Sequence, residues 1–414
     1  MMKRIITCIF FLYCSLVSWA QGLYDLDYLE SQDKASLSFG LYTNVSSTGL
    51  NTKFVSKFIN GGYIEGQLID DILQNLSGTQ TIGTDLRPAL FYQHSGKRIF
   101  GSDNMHWMLQ LSSRGFAEAS FPSDFFELIF SGNKNFENRT AHIHPFGFQS
   151  IVYHKLQIGL CKQSAGHRFG VLLGPVLGSS YYKSSTDRGS IFTAQDGRYL
   201  DLDLKWQLEQ SNPDKNHLMS NSGVGIAADL FWKWNFREHS AFILMAEDLG
   251  VISWDGDAQL SQIDSSFRFE GVEIGSIFDS IFVEIKSGSD LKSEFLKEQR
   301  KKIPAAVLPA SLSLEFRRQF LNNKFVANLY IQKYISRFSK FQVAAGLNYN
   351  IWNGFQVGAT GGLSSHGNWY AGIQMHVFRK DNFQLKIAAP SLINIFQGER
   401  NFVAIGQVLL SKAF

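Results

Sequence analysis

The stretch "YLDLDLKWQLEQ", residues 199–210, separates into two chemistries when every second residue is taken. Leu200, Leu202, Leu204, Trp206 and Leu208 point one way on an extended strand, and Asp201, Asp203, Lys205, Gln207 and Glu209 point the other. Such a strand needs an apolar medium on one side and a wet or charge-paired space on the other. Whether this describes one element or the whole chain depends on how often the pattern returns.

It returns along most of the chain. Leu37, Phe39 and Leu41 alternate with Ser36, Ser38 and Gly40, and Trp107, Leu109 and Leu111 with His106, Gln110 and Ser112. Val224, Ile226, Ala228, Leu230, Trp232, Trp234 and Phe236 oppose Gly223, Gly225, Asp229, Lys233, Asn235 and Arg237. The last hundred residues are the most regular, with Leu312, Leu314 and Phe316 against Ser313, Glu315 and Arg317, and Trp369, Ile373 and Met375 against Tyr370, Gln374 and His376. Each segment is about ten residues long, the length a tilted strand needs to cross a bilayer. Turn-like pieces at 322–324, 353–354 and 380–382 separate the later ones.

A soluble β-sandwich also alternates, but its strands are about half as long and its outer face is dominated by charge. Here the polar faces hold Gly, Ser, Asn and Gln with scattered charges of both signs, and tryptophans fall near segment ends or on the apolar face. The fold expected is all-β: a transmembrane antiparallel β-barrel with short amphipathic helices in loops or lumen. Fifteen segments stand out, near 35, 84, 105, 146, 168, 199, 222, 240, 308, 324, 341, 355, 369, 383 and 401. Bacterial barrels have even counts. Adding "SSFRFEGV" (265–272) gives 16 strands, and dissolving "NFQLKIA" (382–388) gives 14.

Composition agrees. Charged residues are 18%, with 36 Gly and 36 Phe, against roughly 25% charged in ordinary soluble proteins. At the N-terminus Lys3 and Arg4 precede "IITCIFFLYCSLV" and a small-x-small site, Ser18-Trp19-Ala20, which reads as a signal peptide over residues 1–20 cut after Ala20. Residues 21–414 are then one barrel domain, exported to a Gram-negative outer membrane. Cys8 and Cys14 leave with the signal, so Cys161 remains and no internal disulfide forms. Loss of Lys3 and Arg4 from 39 basic residues leaves 37 against 36 acidic, which excludes a nucleic-acid partner. No run after residue 20 is long enough for a transmembrane helix, so any crossing is made by a closed barrel.

Three insertions have helical spacing, at about 52–76, 122–131 and 274–302. In the first, Ile64, Leu68, Ile72 and Leu76 form one stripe; the second, "PSDFFELIFSG", starts on Pro122 and ends on Gly132; the third ends on Arg300, Lys301 and Lys302, the charge a helix C-terminus favours. Their stripes are buried either as a cap on the loops or as a constriction in the lumen. The chain closes on an alternating strand with Phe414, which resembles the recognition signal for the barrel insertion machinery.

Catalytic chemistry has little support. No G-x-S-x-G elbow, H-E-x-x-H helix or P-loop occurs. His142 and His144 share a strand face but lack a neighbouring ligand at metal spacing, Ser365 and His366 read as turn residues in "SSHG", and Cys161 reads as a small strand residue. The protein is expected to be no enzyme and to carry no cofactor or metal. The polar faces give lumen-facing candidates: Asp201, Asp203, Lys205, Glu209, Asp229, Lys233, Arg237, Glu315 and Arg317. An ion-selective pore would be biased to one sign. Balanced charges suit cross-strand pairs in a narrow lumen.

The segments "KFINGGYIEGQLIDDIL" (57–73), "EDLGVISWDGD" (247–257), "FRFEGVEI" (267–274) and "LPASLSLEF" (308–316) resemble an uncharacterised family of Bacteroidota outer-membrane β-barrels. That family is similar in layout to FadL-like barrels and more loosely to the PorP/SprF-like barrels that accompany type IX secretion. Asp248, Leu249, Gly250 and Trp254 match its Asp-Leu-Gly turn. The Asn-Pro-Ala motif of many relatives is absent, so no hatch or partner residue is carried over. The resemblance implies one of two functions. One is a passage or binding barrel for small apolar molecules. The other is a structural or accessory barrel of a secretion or surface-attachment complex, without transport. A continuous apolar tunnel would support the first, and a lumen filled by salt-bridged side chains the second.

Overall fold

The computed structural model describes residues 35–94, 104–212, 220–270, 297–299, 303, 305–379, 383–397 and 402–414. The signal peptide expected over residues 1–20 and most of the 274–302 insertion lie outside the described residues. In chain order the elements begin β1 (Ser36–Ser47), α1 (Thr52–Asn60), α2 (Gly66–Asn75), β2 (Thr79–His94), β3 (Met105–Pro122), α3 (Ser123–Ser131), β4 (Arg139–His142), β5 (Gly147–Ser164) and β6 (His167–Thr193). Next come β7 (Tyr199–Gln210), β8 (Gly223–Arg237), β9 (Ser240–Trp254), β10 (Gln259–Glu270), β11 (Lys297–Gln299) and β12 (Ala306–Val307). The C-terminal part holds β13 (Ser311–Phe320), β14 (Phe325–Tyr334), β15 (Phe341–Trp352), β16 (Phe355–Leu363), β17 (Trp369–Arg379), β18 (Phe383–Ala389), α4 (Leu392–Gln397) and β19 (Phe402–Ala413).

Fourteen of these strands form a closed antiparallel wall. It runs β1-β2-β3-β5-β6-β8-β9-β13-β14-β15-β16-β17-β18-β19 and returns to β1, where Ser36 pairs with Ala413 and Ser47 with Phe402. Closure leaves no wall edge unpaired, as a lipid medium demands. The 12 residues of β1, at about 3.3 Å rise and a tilt near 40°, climb roughly 30 Å, the thickness of a hydrocarbon core.

The wall is inverted relative to a soluble protein. Leu86, Leu90, Leu111, Ile158, Val224, Ile226, Leu314, Leu347 and Ile373 stand 41–65% exposed on its outside. Ser36, Ser38, Gln93, Gln110, Gln157 and Asp229 are at most 2% exposed on its inside. A belt of that extent has no stable contact with water, and the chain is a membrane-spanning β-barrel. One end has short turns, at 165–166, 238–239, 321–324 and 353–354, while the other carries the long connections. Aromatic rings gather at the short-turn end: Trp234 lies near Phe242, Phe242 near Phe316, Phe320 near Phe325 and Trp352 near Phe355, at 4.7–6.3 Å between centroids. This is the girdle of a membrane interface.

Residues 199–210 are not in the wall. β6 is 27 residues long, roughly 90 Å of strand at about 3.3 Å per residue. Only His167–Gly178 pair with β8, and beyond them Tyr182–Thr193 pair with β7. β7 then pairs along its whole length with β10, and β4 joins β6 at residues 190–193. β4, the upper part of β6, β7 and β10 therefore form a platform above the long-loop end. Of the fifteen sequence segments, the supernumerary one is residues 199–210 itself, whereas β18 (the 382–388 segment) is a wall strand. The described part of the 265–272 segment, residues 265–270, belongs to the platform partner of 199–210. Within the third helical insertion, Lys297–Gln299 is a strand, because its backbone bonds are taken by Leu260–Gln262 of β10.

Both faces of β7 exist, in other surroundings than lipid and lumen. Leu200 is 3% exposed and packs with Leu128, Phe136, Ala141, Ile143 and Ile191, so α3 and β4 cover that face where lipid was expected. Trp206 donates its indole N–H to Ser184 Oγ at 2.8 Å.

The first two insertions are helical, as α1, α2 and α3. They are neither a lumen plug nor a cap across the mouth. Their stripe, including Phe54, Leu68, Ile72 and Phe126, packs with Val45, Ile82, Phe121, Phe402 and Ala404. Val45 is opposite Thr84 and Ala404, one step from the inward pair Asn44–Asp85, so these wall residues point outward. α1 is fixed by Asn51, whose Oδ1 accepts from the Phe54 amide at 2.9 Å, and ends on Gly61 at φ 68°.

Candidate functional site: a charged network across the lumen

The inward rows of the wall carry charge at mid-height. Asp85 and Arg87 come from β2, Arg114 from β3, Lys155 from β5, Asp229 from β8, and Glu247 and Asp248 from β9. All seven are 2–6% exposed. On a regular strand Glu247 and Asp248 would lie on opposite faces. The β8–β9 register skips between Ala228 and Leu230, and Asp248 takes φ 59°, a bulge that buries both carboxylates on the lumen side. The Asp-Leu-Gly motif is thus a bulge inside a strand and not a turn. Leu249 and Gly250 resume the ladder opposite Ala228 and Ala227, and Trp254 is buried, stacked on Tyr181 at 5.3 Å.

The network is continuous. Arg114 donates to Asp85 Oδ1 at 2.9 Å, to Asp248 Oδ2 at 2.6 Å and to the Pro309 carbonyl at 2.6 Å. Arg87 bonds Asp85 at 2.6 Å and Glu247 at 3.1 Å. Lys155 bridges Asp229 at 2.7 Å and Asp248 at 2.6 Å, and the Asp248 amide donates to Asp229 at 2.7 Å. Tyr42 and Tyr334 each lie 5.5 Å from the Arg87 guanidinium. Buried ions with this many partners are held firmly, since removing one strands another in low dielectric.

Material fills the lumen on both sides. Toward the short-turn end lie Phe91, Met108, Leu172, Phe231, Met245 and Tyr330, all 0–5% exposed. There Arg168 donates to Cys161 Sγ at 3.1 Å. Toward the mouth, two connections turn inward. Glu118 accepts from Ser336 Oγ at 2.9 Å and from the amides of Arg337 and Phe338 at 3.1 and 3.3 Å. Ser46 Oγ lies 2.9 Å from His366 Nδ1, Asn368 bonds the Ser47 carbonyl, and a methyl on Gly83 would overlap the His366 ring. Burial, then the charges of Lys340 and Lys333, lower the His366 pKa to about 4.

The candidates read from sequence divide. Asp229 is in the network, and Lys233 and Glu315 are buried inside the wall. Arg317 is half-withdrawn beside Glu315 at 2.9 Å. Glu209 is buried at the base of the platform, accepting from Tyr181 Oη at 3.4 Å. Arg237 is exposed at the short-turn end. Asp201, Asp203 and Lys205 are not lumen residues: they sit 36–47% exposed on the platform, paired with Arg268 at 2.6 Å, Arg188 at 2.7 Å and Asp187 at 3.6 Å. The physical reason is register, because β7 pairs with the part of β6 that runs past the end of β8 and with β10, outside the closed wall. Sequence reading missed Asp85, Arg87, Arg114, Lys155 and Glu247. For four of them the signal was present, as residues out of phase with Leu86, Leu90, Leu111 and Leu156. For Glu247 it was not, since the residues before it on β9 are apolar on both faces, Ala241, Ile243 and Met245 inside and Phe242 and Leu244 outside. Of the other residues singled out, His142 is exposed on β4, His144 Nδ1 lies 2.9 Å from the Thr186 carbonyl, and Ser365 and His366 form the inward connection.

Among curated proteins no sequence matches the chain. Among solved structures it is similar to the Pseudomonas putida toluene transporter TodX, with 11% identity over 96% of each chain and a TM-score of 0.46. It is also similar to a TodX deltaS2S3 mutant monoaromatic hydrocarbon channel (11% identity, 97% and 96% covered, TM-score 0.47). A third is a Pseudomonas aeruginosa FadL homologue (9% identity, 92% and 89% covered, TM-score 0.40). Residues 32–388 match the model of a family of unknown function, DUF5723, and the chain belongs to that family.

Proposed function

We propose that the protein is an outer-membrane barrel with a closed lumen, which anchors the platform of β4, β6, β7 and β10 outside the cell as a structural or accessory component of a surface assembly. The carrying observation is the seven-residue network: Asp85, Arg87, Arg114, Lys155, Asp229, Glu247 and Asp248 cross the lumen between five strands, with packed side chains above and below. A solute moving along the axis would have to separate several buried ion pairs, each costing about 3–5 kcal/mol to break. The asymmetry of short turns and long loops supports an outer-membrane orientation with the platform outside, and the reading is of a non-enzyme.

The second reading is binding or passage of small apolar molecules, favoured by the apolar half of the lumen lined by Phe91, Met108 and Phe231. One experiment separates them: the purified chain in liposomes, assayed for ion conductance and for uptake of toluene and a fluorescent fatty acid. A closed anchor gives the flux of empty liposomes for all three. Uptake above that background, abolished by filling the apolar half with Met108→Trp, would sink the anchor reading in favour of passage. A surface partner is sought by cross-linking from the platform in intact cells.

A further inference from the structure

α1 and α2 use their apolar stripe on the outward rows of β19, β1 and β2, at the level of Val45, Ile82 and Ala404. Below Val45, Thr84 and Ala404 come Thr43, Leu86 and Gly406, and then Leu41, Pro88 and Val408, and at Leu86 the lipid-facing belt begins. The hairpin therefore lies only two to four strand residues above the belt, roughly 7–13 Å along the strand, at the height of lipid headgroups. Its far side is not that of a helix in water. Phe58 is 64% exposed and held outward by stacking on Phe54 at 5.9 Å, and Tyr63, just past the Gly61-Gly62 turn, is 83% exposed. Lys57 and Glu65 tie the two helices across that turn at 2.7 Å.

We propose that the α1–α2 hairpin is a lipid-interface anchor, with Phe58 and Tyr63 seated in the headgroup region of the leaflet on the long-loop side. The surface is continuous with the lipid belt, and large aromatics flanked by Lys53 and Lys57 are the side chains that favour this boundary. Seated there, the hairpin fixes the depth and tilt of the barrel independently of what the lumen does.

The test uses spin labels on the full mature chain in phospholipid liposomes, at Phe58→Cys and Tyr63→Cys in a Cys161→Ser background. Asp70→Cys serves as the water reference and Leu90→Cys as the lipid reference. The measurement is the ratio of collision rates with oxygen and with a water-soluble nickel chelate. Ratios at both positions several-fold above that of Asp70, and below or equal to that of Leu90, are expected. Ratios equal to that of Asp70 overturn the proposal, and so does shielding from both reagents, which would mean a protein or a second copy covers the face. Hydroxyl-radical footprinting of the unmodified chain reads the same question without a substitution. Tyr63 should react several-fold less in liposomes than the partly exposed Tyr199 of the platform, and equal or greater reactivity counts against seating in lipid.

Discussion

Arg114 and Asp248, 134 positions apart in the chain, meet at 2.6 Å inside the barrel. The contact joins β3 to the bulge of β9 across the lumen, and Arg114 also holds Asp85 and the Pro309 carbonyl. Four strands' worth of register must be correct before that guanidinium finds its partners, so the pair is a signature of the closed wall.

Removing either side should be costly. Asp248→Asn or Arg114→Met is expected to lower unfolding stability by about 3–5 kcal/mol, because each leaves a buried charge short of a partner. The double variant should lose less than the sum of the two. Urea titrations in liposomes, followed by heat-modifiable gel migration, measure this. Additive losses would show that the two residues do not act as a unit.

The inward turn at 364–368 should make stability depend on pH. His366 has its pKa lowered to about 4 by burial and by Lys340 and Lys333, against about 6.5 unfolded. A base with a depressed folded pKa contributes stability that is present above 6.5 and lost as pH falls toward 4, since the unfolded chain takes the proton first. At about 1.4 kcal/mol per pH unit this amounts to roughly 3 kcal/mol. The urea midpoint of the native chain should fall between pH 6.5 and 4, and His366→Gln should flatten that part of the profile.

Gly83 leaves room for the same ring. A Gly83→Leu side chain would occupy the place of the His366 imidazole and is expected to expel the 364–368 turn from the mouth. Limited proteolysis of intact liposomes should then cut near Ser365, where the native chain resists. An unchanged digest would mean that the turn tolerates the overlap by shifting within the lumen.

The platform should fail separately from the wall. Leu200→Ala empties a position that is 3% exposed among Leu128, Phe136 and Ile191 and should cost about 2–4 kcal/mol locally. Proteolysis of β7 and β10 should rise while the heat-modifiable shift of the barrel persists. Asp201→Asn, by contrast, loses an exposed pair with Arg268 and should leave the digest as it is, because exposed ion pairs contribute little. Loss of barrel migration in Leu200→Ala would show that platform and wall fold as one unit.

Much of this fold is legible in the sequence. Alternation over segments long enough to cross a bilayer points to a barrel, because only closure satisfies the backbone of spanning strands in lipid. α1, α2 and α3 were visible in their spacing. Asp229, Lys233 and Glu315 were visible as interior charges. Less legible was Asp248, matched through a family motif as part of a turn and found as a charge at the centre of the lumen. A bulge moves a residue from one face to the other and leaves no mark in a period of two.

Residues 199–210 show where the division falls. By itself the sequence determined that this strand has an apolar face and a charged one, because successive side chains on extended backbone must alternate. It did not determine what lies against each face. Leu200 meets Phe136 and Leu128 where lipid was expected, and Asp203 meets Arg188 in solvent where a lumen was expected. That was decided by pairing: β6 runs past the end of β8, its free length takes up β7, and β7 takes up β10. Alternation is a property of one strand and can be read locally. A neighbour is a property of register between distant segments, and the fold as a whole sets it.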